Sequence, residues 1–337
     1  GTALCHQATD NFLAGRNPYE YANVVTAVQQ FHGSSDRITP LRKGQLANVF
    51  PYPNDNQIEE IWNQAVANPS QPPIELESQV CYPAGSFLLL SPFVALGIKD
   101  IRIIYLLFVI AGLAYAVWKI PPKYRFIFIG VALVSLELWN SIANGETGAI
   151  VFPLLIVAWL SLKKNFWLSA IFMGLAVATK QTAWFMLPFY LILAWHYWGA
   201  KKLFANIGII AGVFFVLNGY FMAANLELWV KSVLSPMLEP MFPIGVGAVT
   251  LATSGLFNIR SELIFTTAEI ISGVVCLIWY FKYHAKYPNA GIILGTVPLF
   301  FAWRSLWSYF FYIGLILVAA VLTTEQNKLS ETPIIKS

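Results

Sequence analysis

From residue 82 onward the chain alternates between long apolar runs and short polar breaks. The runs fall at 82–98, 101–118, 126–142, 149–162, 166–179, 182–198, 203–224, 263–281, 290–303 and 306–322, and they carry no polar face. A helix that is apolar all round lies in a core or in lipid, whereas strands of a membrane barrel would alternate polar and apolar residues. Helical spans are therefore predicted, because lipid leaves the backbone no other way to satisfy its polar groups. The pattern predicts an all-α polytopic membrane protein of about 9–11 spans. Several runs are short for a crossing of roughly 20 residues and contain proline, which predicts helices that bend around a cavity.

Residues 1–82 have a different texture: polar, proline-bearing and rich in Asn and Gln. A helix is predicted to end at Gly15, a residue suited to close a helix C-terminus. A second is predicted over about residues 20–31 and a third near 56–68, with loop between 33 and 73. The region reads as a luminal or periplasmic first loop with short helices, followed by a transmembrane bundle over 83–322. Within the bundle, 225–262 is a loop rich in Pro, Met and Gly, read either as a lid lying against lipid or as a plain connector. The tail 323–337 is polar and predicted to be a disordered cytoplasmic segment. The chain opens on Gly1 with no signal peptide, and an upstream transmembrane helix is expected to place the first loop on its side of the membrane.

Composition strengthens the membrane reading. Hydrophobic residues make up 57% of the chain and charged residues 11%, against roughly 25% charged in soluble domains. The net charge of +4 does not point to nucleic acid, because the basic residues sit in short loops between spans. Lys119, Lys123 and Arg125, then Lys163 and Lys164, Lys201 and Lys202, and Lys282 and Lys286 are separated by pairs of spans, so all fit the cytoplasmic side. The breaks 144–148 and 180–181, the loop 225–262 and Arg304 then share the opposite side. A conflict remains at the start, where two runs separate the first loop from Lys119. Either 82–98 re-enters the membrane or the basic loop at 119–125 faces outward.

The stretch from Asn144 to Trp195 organises the candidate chemistry. Its break at Lys163-Lys164-Asn165 reads as a solvated loop, whereas Asn144-Gly145-Glu146 and Lys180-Gln181 put polar groups where apolar sequence is expected. A charge at membrane depth costs a few kcal/mol or more, so it is usually paired or functional. Lys180 is read either as a lysine snorkelling to the interface or as the cation of a phosphate site, and Arg304 carries the same two readings with a guanidinium able to grip phosphate through two donors. Glu146 is a general base, a partner for Lys180 or a loop residue, and Glu137 lies nearby in sequence. Asn144 and Gln181 suit sugar hydroxyls, although helix capping also accounts for Asn144. His6 and Asp10 stand four residues apart on one predicted helix face, as an acid/base pair or as a chance pairing. Cys5 and Cys81 are read as a disulfide if the first loop is extracytoplasmic or as two free thiols, and Cys276 as packing. No metal-ligand spacing, Walker loop, GxSxG or HExxH is present.

The segments FLAGRNPYEY, YPAGSFLLLSPFVAL, NGETGAIVFPLLI and GLAVATKQTAWFMLPF, in this order and spacing, resemble the polytopic glycosyltransferases of the GT-C fold, most closely glycosyltransferase family 87, the polyprenol-phosphate-mannose-dependent type. The resemblance implies a GT-C-like helical bundle in a prokaryotic plasma membrane. Its activity would be transfer of a hexose, mannose, from a polyprenyl-phosphate donor to a glycan or lipid-linked acceptor at the extracytoplasmic face, with no nucleotide or metal cofactor. Lys180 and Arg304 would hold the donor phosphate, and His6, Asn144 and Gln181 would meet sugar or acceptor. In the family a carboxylate just after the first helix takes the acceptor proton. That position falls before or at Gly1, so the base is expected upstream, with Asp10 and Glu146 as the acids within this chain. Family members often read NGQ where this chain reads NGE. Two other functions fit the same pattern: a flippase for lipid-linked sugars, which would favour inverted repeats not found here, and a family member without catalysis.

Overall fold

The computed structural model describes residues 1–330 except 32, 34, 36, 37 and 258. Residues 331–337, the end of the tail predicted to be disordered, lie outside the described residues. The first loop forms α1 (Thr2–Leu13), α2 (Val24–Gln30) and α3 (Asp55–Ala67). Two one-turn helices follow, α4 (Gly85–Leu88) and α5 (Ser91–Ala95). Then come α6 (Ile101–Lys119), α7 (Pro122–Val134), α8 (Leu136–Ala143), α9 (Gly148–Ser161), α10 (Phe166–Val177) and α11 (Thr182–Ala224). The loop after α11 holds α12 (Leu226–Val233), α13 (Ser235–Leu238), β1 (Ile244–Gly245) and α14 (Thr250–Thr253). The chain ends with α15 (Glu262–Tyr283), α16 (Ala290–Leu294), α17 (Val297–Phe301), β2 (Arg304–Ser305) and α18 (Ile313–Ser330). Thus α18 carries the helix eight residues past Leu322, into the polar tail.

The apolar runs divide into full-length and half-length helices. Four helical stretches among the described residues are long and apolar enough to cross a membrane, at Ile101–Lys119, Thr182–Ala224, Glu262–Tyr283 and Trp307–Thr324. A fifth arises if α7 and α8, bent by 51° at their junction, form one broken span. The 43-residue α11 is itself two helices joined at Gly199, whose φ of 75° breaks the helical path. Gly85–Ala95, Gly148–Ser161, Phe166–Val177 and Ala290–Phe301 are shorter apolar helices. The first of these would reach only ~16 Å, about half of the hydrocarbon core, so it does not cross by itself.

The chain separates into two compact units. The first contains Gly1–Ile101, Val216–Ile270 and Leu299–Trp307, and the second Arg102–Phe215, Ile271–Pro298 and Ser308–Ser337. In the first unit, local sequence sets the loop helices. Gly15 at φ 72° closes α1, and the N–H of Arg16 reaches back to the carbonyl of Asn11, as in a Schellman end. Asn23 caps α2 by accepting from the N–H of Thr26, and its amide also donates to the carbonyl of Pro69. Asn54 and Gln57 form a reciprocal capping box at the start of α3. These helices bury Leu4, Val25, Ile58, Ile61 and Leu76 in a common core that also takes Phe242 from the later loop. The first loop is therefore a packed layer and not a string of exposed helices; each such side chain contributes roughly 1.5–3 kcal/mol on burial.

Segment pairing ties the same unit together. Residues 39–41 pair with 75–77 through an antiparallel bridge between Pro40 and Leu76 and with the later loop through one between Leu41 and Met241. The N–H of Glu77 donates to Thr39, that of Leu41 to Glu75 and that of Arg42 to Pro240. Next to this ladder, β1 pairs in parallel with β2, Ile244 opposite Arg304 and Gly245 opposite Ser305. Gly245 has φ 133° and a Cβ there would strike the backbone of Ser305.

In the second unit every residue of α9 is buried. Close approach explains its glycine and proline contacts: a Cβ on Gly112 of α6 would come within 2.7 Å of Pro153 in α9, and one on Gly148 would come within 3.0 Å of Phe311. Ser169 in α10 donates to the carbonyl of Ala158 in α9 at 2.7 Å and shares a hydrogen bond with Tyr190 of α11, and Asn206 also donates to Tyr190.

Replacing Gly245 by Ala should break the β1–β2 pairing and lower stability by about 1–3 kcal/mol. Thermal unfolding in detergent should show a clear drop in midpoint, whereas an unchanged midpoint would mean that the β1–β2 contact does not bear on stability.

Candidate functional site

In the first unit, β2 presents Arg304 half-buried beside Met241. The backbone around it is fixed by pairing: Val246 donates to Ser305 at 2.9 Å and Ala248 to Phe300 at 2.8 Å. The indole of neighbouring Trp303 donates to the carbonyl of Met241. Nη1 of Arg304 lies 2.8 Å from Sδ of the same methionine, and a thioether is a weak acceptor. Its Nε is buried with no hydrogen-bond partner among the described residues. A buried donor left unsatisfied costs about 1–3 kcal/mol, more when the group is charged. The guanidinium is thus poorly served by neutral acceptors.

Two side chains that the sequence reading did not single out feel this cation. Burial pushes the Glu77 carboxyl above its usual range, and the Arg304 guanidinium pulls it back. Oε1 of Glu77 accepts from the hydroxyl of Ser235 at 3.3 Å. The Tyr52 phenol is likewise raised by burial and opposed by Arg304, while its ring packs edge-on against Phe242. Glu77 stands far from Arg304 in sequence, in a polar stretch with other acids, so no spacing pattern marks it out. Its best sequence signal is its place, with Glu75, as the last acids before Tyr82-Pro83 and the apolar region.

His6 and Asp10 are brought together on α1, with Nε2 and Oδ1 3.9 Å apart. The imidazole is buried and stacks on Phe31 at 4.4 Å, and Oδ2 of Asp10 accepts from the amide of Gln30. Burial lowers the His6 pKa, against the pull of Asp10 and Asp100. None of the described hydrogen bonds or ion pairs of this pair goes to Glu77 or Arg304, so it forms a separate polar group within the unit. Cys5, Cys81 and Cys276 form no disulfide, which sets aside the disulfide reading of Cys5 and Cys81; burial pushes the Cys81 thiol up to about 12.

In the second unit the two kinds of polar break separate by burial. Lys163 and Lys164 are exposed, but Lys180 is only 3% exposed, in the gap between α10 and α11. That gap is braced. Thr179 donates to Leu175, the Trp184 indole donates to Val177, and Thr182 shares a hydrogen bond with Tyr312. Nζ of Lys180 sits 5.9 Å from the centre of the Tyr309 ring, a cation–π separation. Gln181 is half-buried at the same gap.

The other break lies between α8 and α9. Gly145 turns at φ 75°, and Glu146 is half-buried beyond it. Asn144 is exposed and ends α8, its side-chain amide donating to the carbonyl and side-chain oxygen of Asn140. Thr147, which the sequence reading passed over, is 2% exposed with a hydroxyl that has no hydrogen-bond partner among the described residues.

The family profile of glycosyltransferase family 87 matches residues 81–301. No curated protein and no solved structure matches the chain. The chain belongs to glycosyltransferase family 87, and with its apolar helices it is an integral membrane glycosyltransferase.

The buried state of His6 also fixes a pH response. Burial holds its folded pKa below that of an ordinary imidazole, so the unfolded chain takes up the proton first as pH falls, and stability is lost below about pH 6.5. His6→Phe keeps the stack on Phe31 without the titration. Its thermal midpoint should fall less than that of the wild type between pH 7 and pH 5; equal slopes would contradict the assignment.

Proposed function

We propose that this glycosyltransferase moves a hexose, mannose, from a polyprenyl-phosphate donor to a glycan or lipid-linked acceptor at the extracytoplasmic face of a prokaryotic plasma membrane. The observation that carries this reading is Arg304, a guanidinium with a thioether at Nη1 and a buried Nε lacking an acceptor. Such a cation is matched by an anion with several oxygens, and phosphate accepts two parallel N–H donors from arginine. Lys180 is a second buried cation, held in a braced helix gap and suited to the same kind of anion. Loop charge supports the orientation, with Lys163 and Lys164 on the cytoplasmic side.

The chemistry asked of the protein is electrostatic. When the bond between the sugar anomeric carbon and the phosphate oxygen breaks, negative charge grows on the leaving phosphate. A cation already oriented toward it stabilises the transition state more than the ground state. The acceptor hydroxyl gives its proton to a carboxylate as its oxygen bonds to the sugar. Asp10 and Glu146 are the acids read for that step within this chain, and His6, Asn144 and Gln181 are read as partners for hydroxyl groups.

Purified protein supplied with polyprenyl-phosphate mannose and an acceptor should release polyprenyl phosphate only when acceptor is present. Arg304→Lys keeps the charge but loses the planar fork, and should lower kcat/KM for the donor by roughly tenfold to a hundredfold. Lys180→Ala should lower turnover by at least about tenfold while the protein still folds. Unchanged activity in Lys180→Ala would leave that lysine as an interface anchor. Lipid translocation in liposomes without sugar transfer would replace the enzyme reading with a flippase.

A further inference from the structure

In the second unit, the part of α11 before Gly199 and the end of α15 are joined by ring contacts. Phe189 packs on Tyr280 at 5.6 Å, Trp195 stacks on Phe281 at 5.8 Å, and His196 meets His284 edge-on at 4.8 Å. Between the two helices lies an open groove of about 350 Å³, lined by Ile192, Leu277, Ile278 and Phe281. Those four side chains are apolar, and within a turn of them along each helix the character changes. His196 and His284 come first, then the exposed Lys202 and Lys286. The ammonium of Lys202 lies 4.3 Å from the Trp198 ring and that of Lys286 lies 5.2 Å from the Tyr287 ring. The turn that carries Lys286 is held by the Tyr280 hydroxyl, which donates to the carbonyl of Pro288 at 2.6 Å. Residues 147–226 and 270–324 contain no Asp or Glu, so neither stretch brings an acid to neutralise this rim.

We propose that this groove and its basic rim bind an anionic phospholipid of the surrounding bilayer, with an acyl chain in the groove and the headgroup phosphate against Lys202, Lys286 and the His196–His284 pair. The apolar lining matches a hydrocarbon chain, and the acid-free rim matches a phosphate, in the order in which one lipid molecule presents them. Basic pockets between membrane helices are suited to anionic headgroups in this way. Each lysine lays its stem along an aromatic ring and keeps its charge in the headgroup layer, where an anion can reach it. His284 adds a directional group. Its Nδ1 lies 2.8 Å from the carbonyl of Phe281; a carbonyl only accepts, so the proton sits on Nδ1 and Nε2 is left for an outside partner. Nε2 then accepts from a headgroup hydroxyl or, once protonated, donates to the phosphate. The site is distinct from Arg304 and Lys180 and does not depend on the transferase reading.

The test is native mass spectrometry of the full-length protein in detergent, titrated with phosphatidylglycerol, phosphatidylcholine or polyprenyl phosphate. The wild type should retain phosphatidylglycerol in preference to phosphatidylcholine by about tenfold or more, and the preference should shrink as salt is raised. Lys202→Gln and Lys286→Gln change exposed side chains, so the fold should persist, as an unchanged thermal midpoint would verify. Each should lower phosphatidylglycerol binding by roughly fivefold and leave phosphatidylcholine unaffected. His284→Phe keeps a ring against His196 but removes Nε2, and should also weaken phosphatidylglycerol alone. Ile278→Trp, at an exposed position on the groove wall, should weaken both phospholipids by filling the space for the chain. Equal retention of the two phospholipids by the wild type, or a preference that survives in the Lys202→Gln/Lys286→Gln double variant, would overturn the proposal. Polyprenyl phosphate displacing phosphatidylglycerol from the wild type but not from the double variant would give the groove to the sugar donor and overturn it as well.

Discussion

The pairing of residues 39–41 with 75–77 on one side and with Met241 on the other holds the first unit in register. Few residues are involved, but they join segments far apart in sequence, and Phe242 follows directly into the core of the first loop. Without that pairing, the first loop would be short helices with insufficient apolar surface to hold themselves. With it, α1, α2 and α3 share one core, and the backbone on either side of Met241 becomes a rigid edge. Both Glu77 and Arg304 take their positions from that edge, so the polar centre depends on a few backbone hydrogen bonds more than on any single helix.

The polar groups of the two units follow one physical logic. A cation excluded from water in an apolar protein persists only if its surroundings stabilise it or its function requires it. Lys163 and Lys164 meet no such demand and stay exposed. Lys180 is buried in a gap braced by Thr179, Thr182 and Trp184, next to the Tyr309 ring. Arg304 has a buried Nε and carries a thioether sulfur against Nη1. In each case the fold fixes the backbone on both sides of the cation, and a fixed dipole or charge stabilises a developing charge without reorganising.

Much of this was legible in the sequence where the signal is local. Gly15 announced the end of α1, and the apolar runs marked the membrane helices because they neither alternate, as barrel strands would, nor carry the polar face of a soluble helix. The contrast between Lys163-Lys164 and Lys180-Gln181 was also visible, since one pair interrupts a loop and the other interrupts apolar sequence. What escaped was non-local. The ladder through Leu41 and Met241 involves single residues with no alternating pattern, and the pairing of β1 with β2 spans two residues on each strand. Glu77 looked like an ordinary loop acid because the groups that hold it, Thr39 and Ser235, lie in other parts of the chain. The run 82–98 looked like one short span because hydropathy does not record that Pro92 and neighbouring turns divide it into α4 and α5.

The central claim is that Arg304 meets the phosphate of a lipid-linked sugar through the donor left unsatisfied in the fold. A cryo-electron microscopy structure of the full-length protein with polyprenyl phosphate bound tests this most directly. The account predicts a phosphate oxygen within about 2.7–3.2 Å of Arg304 Nε, with Met241 still packed on the same guanidinium. Phosphate bound out of reach of Arg304, with the guanidinium unmoved, would contradict it.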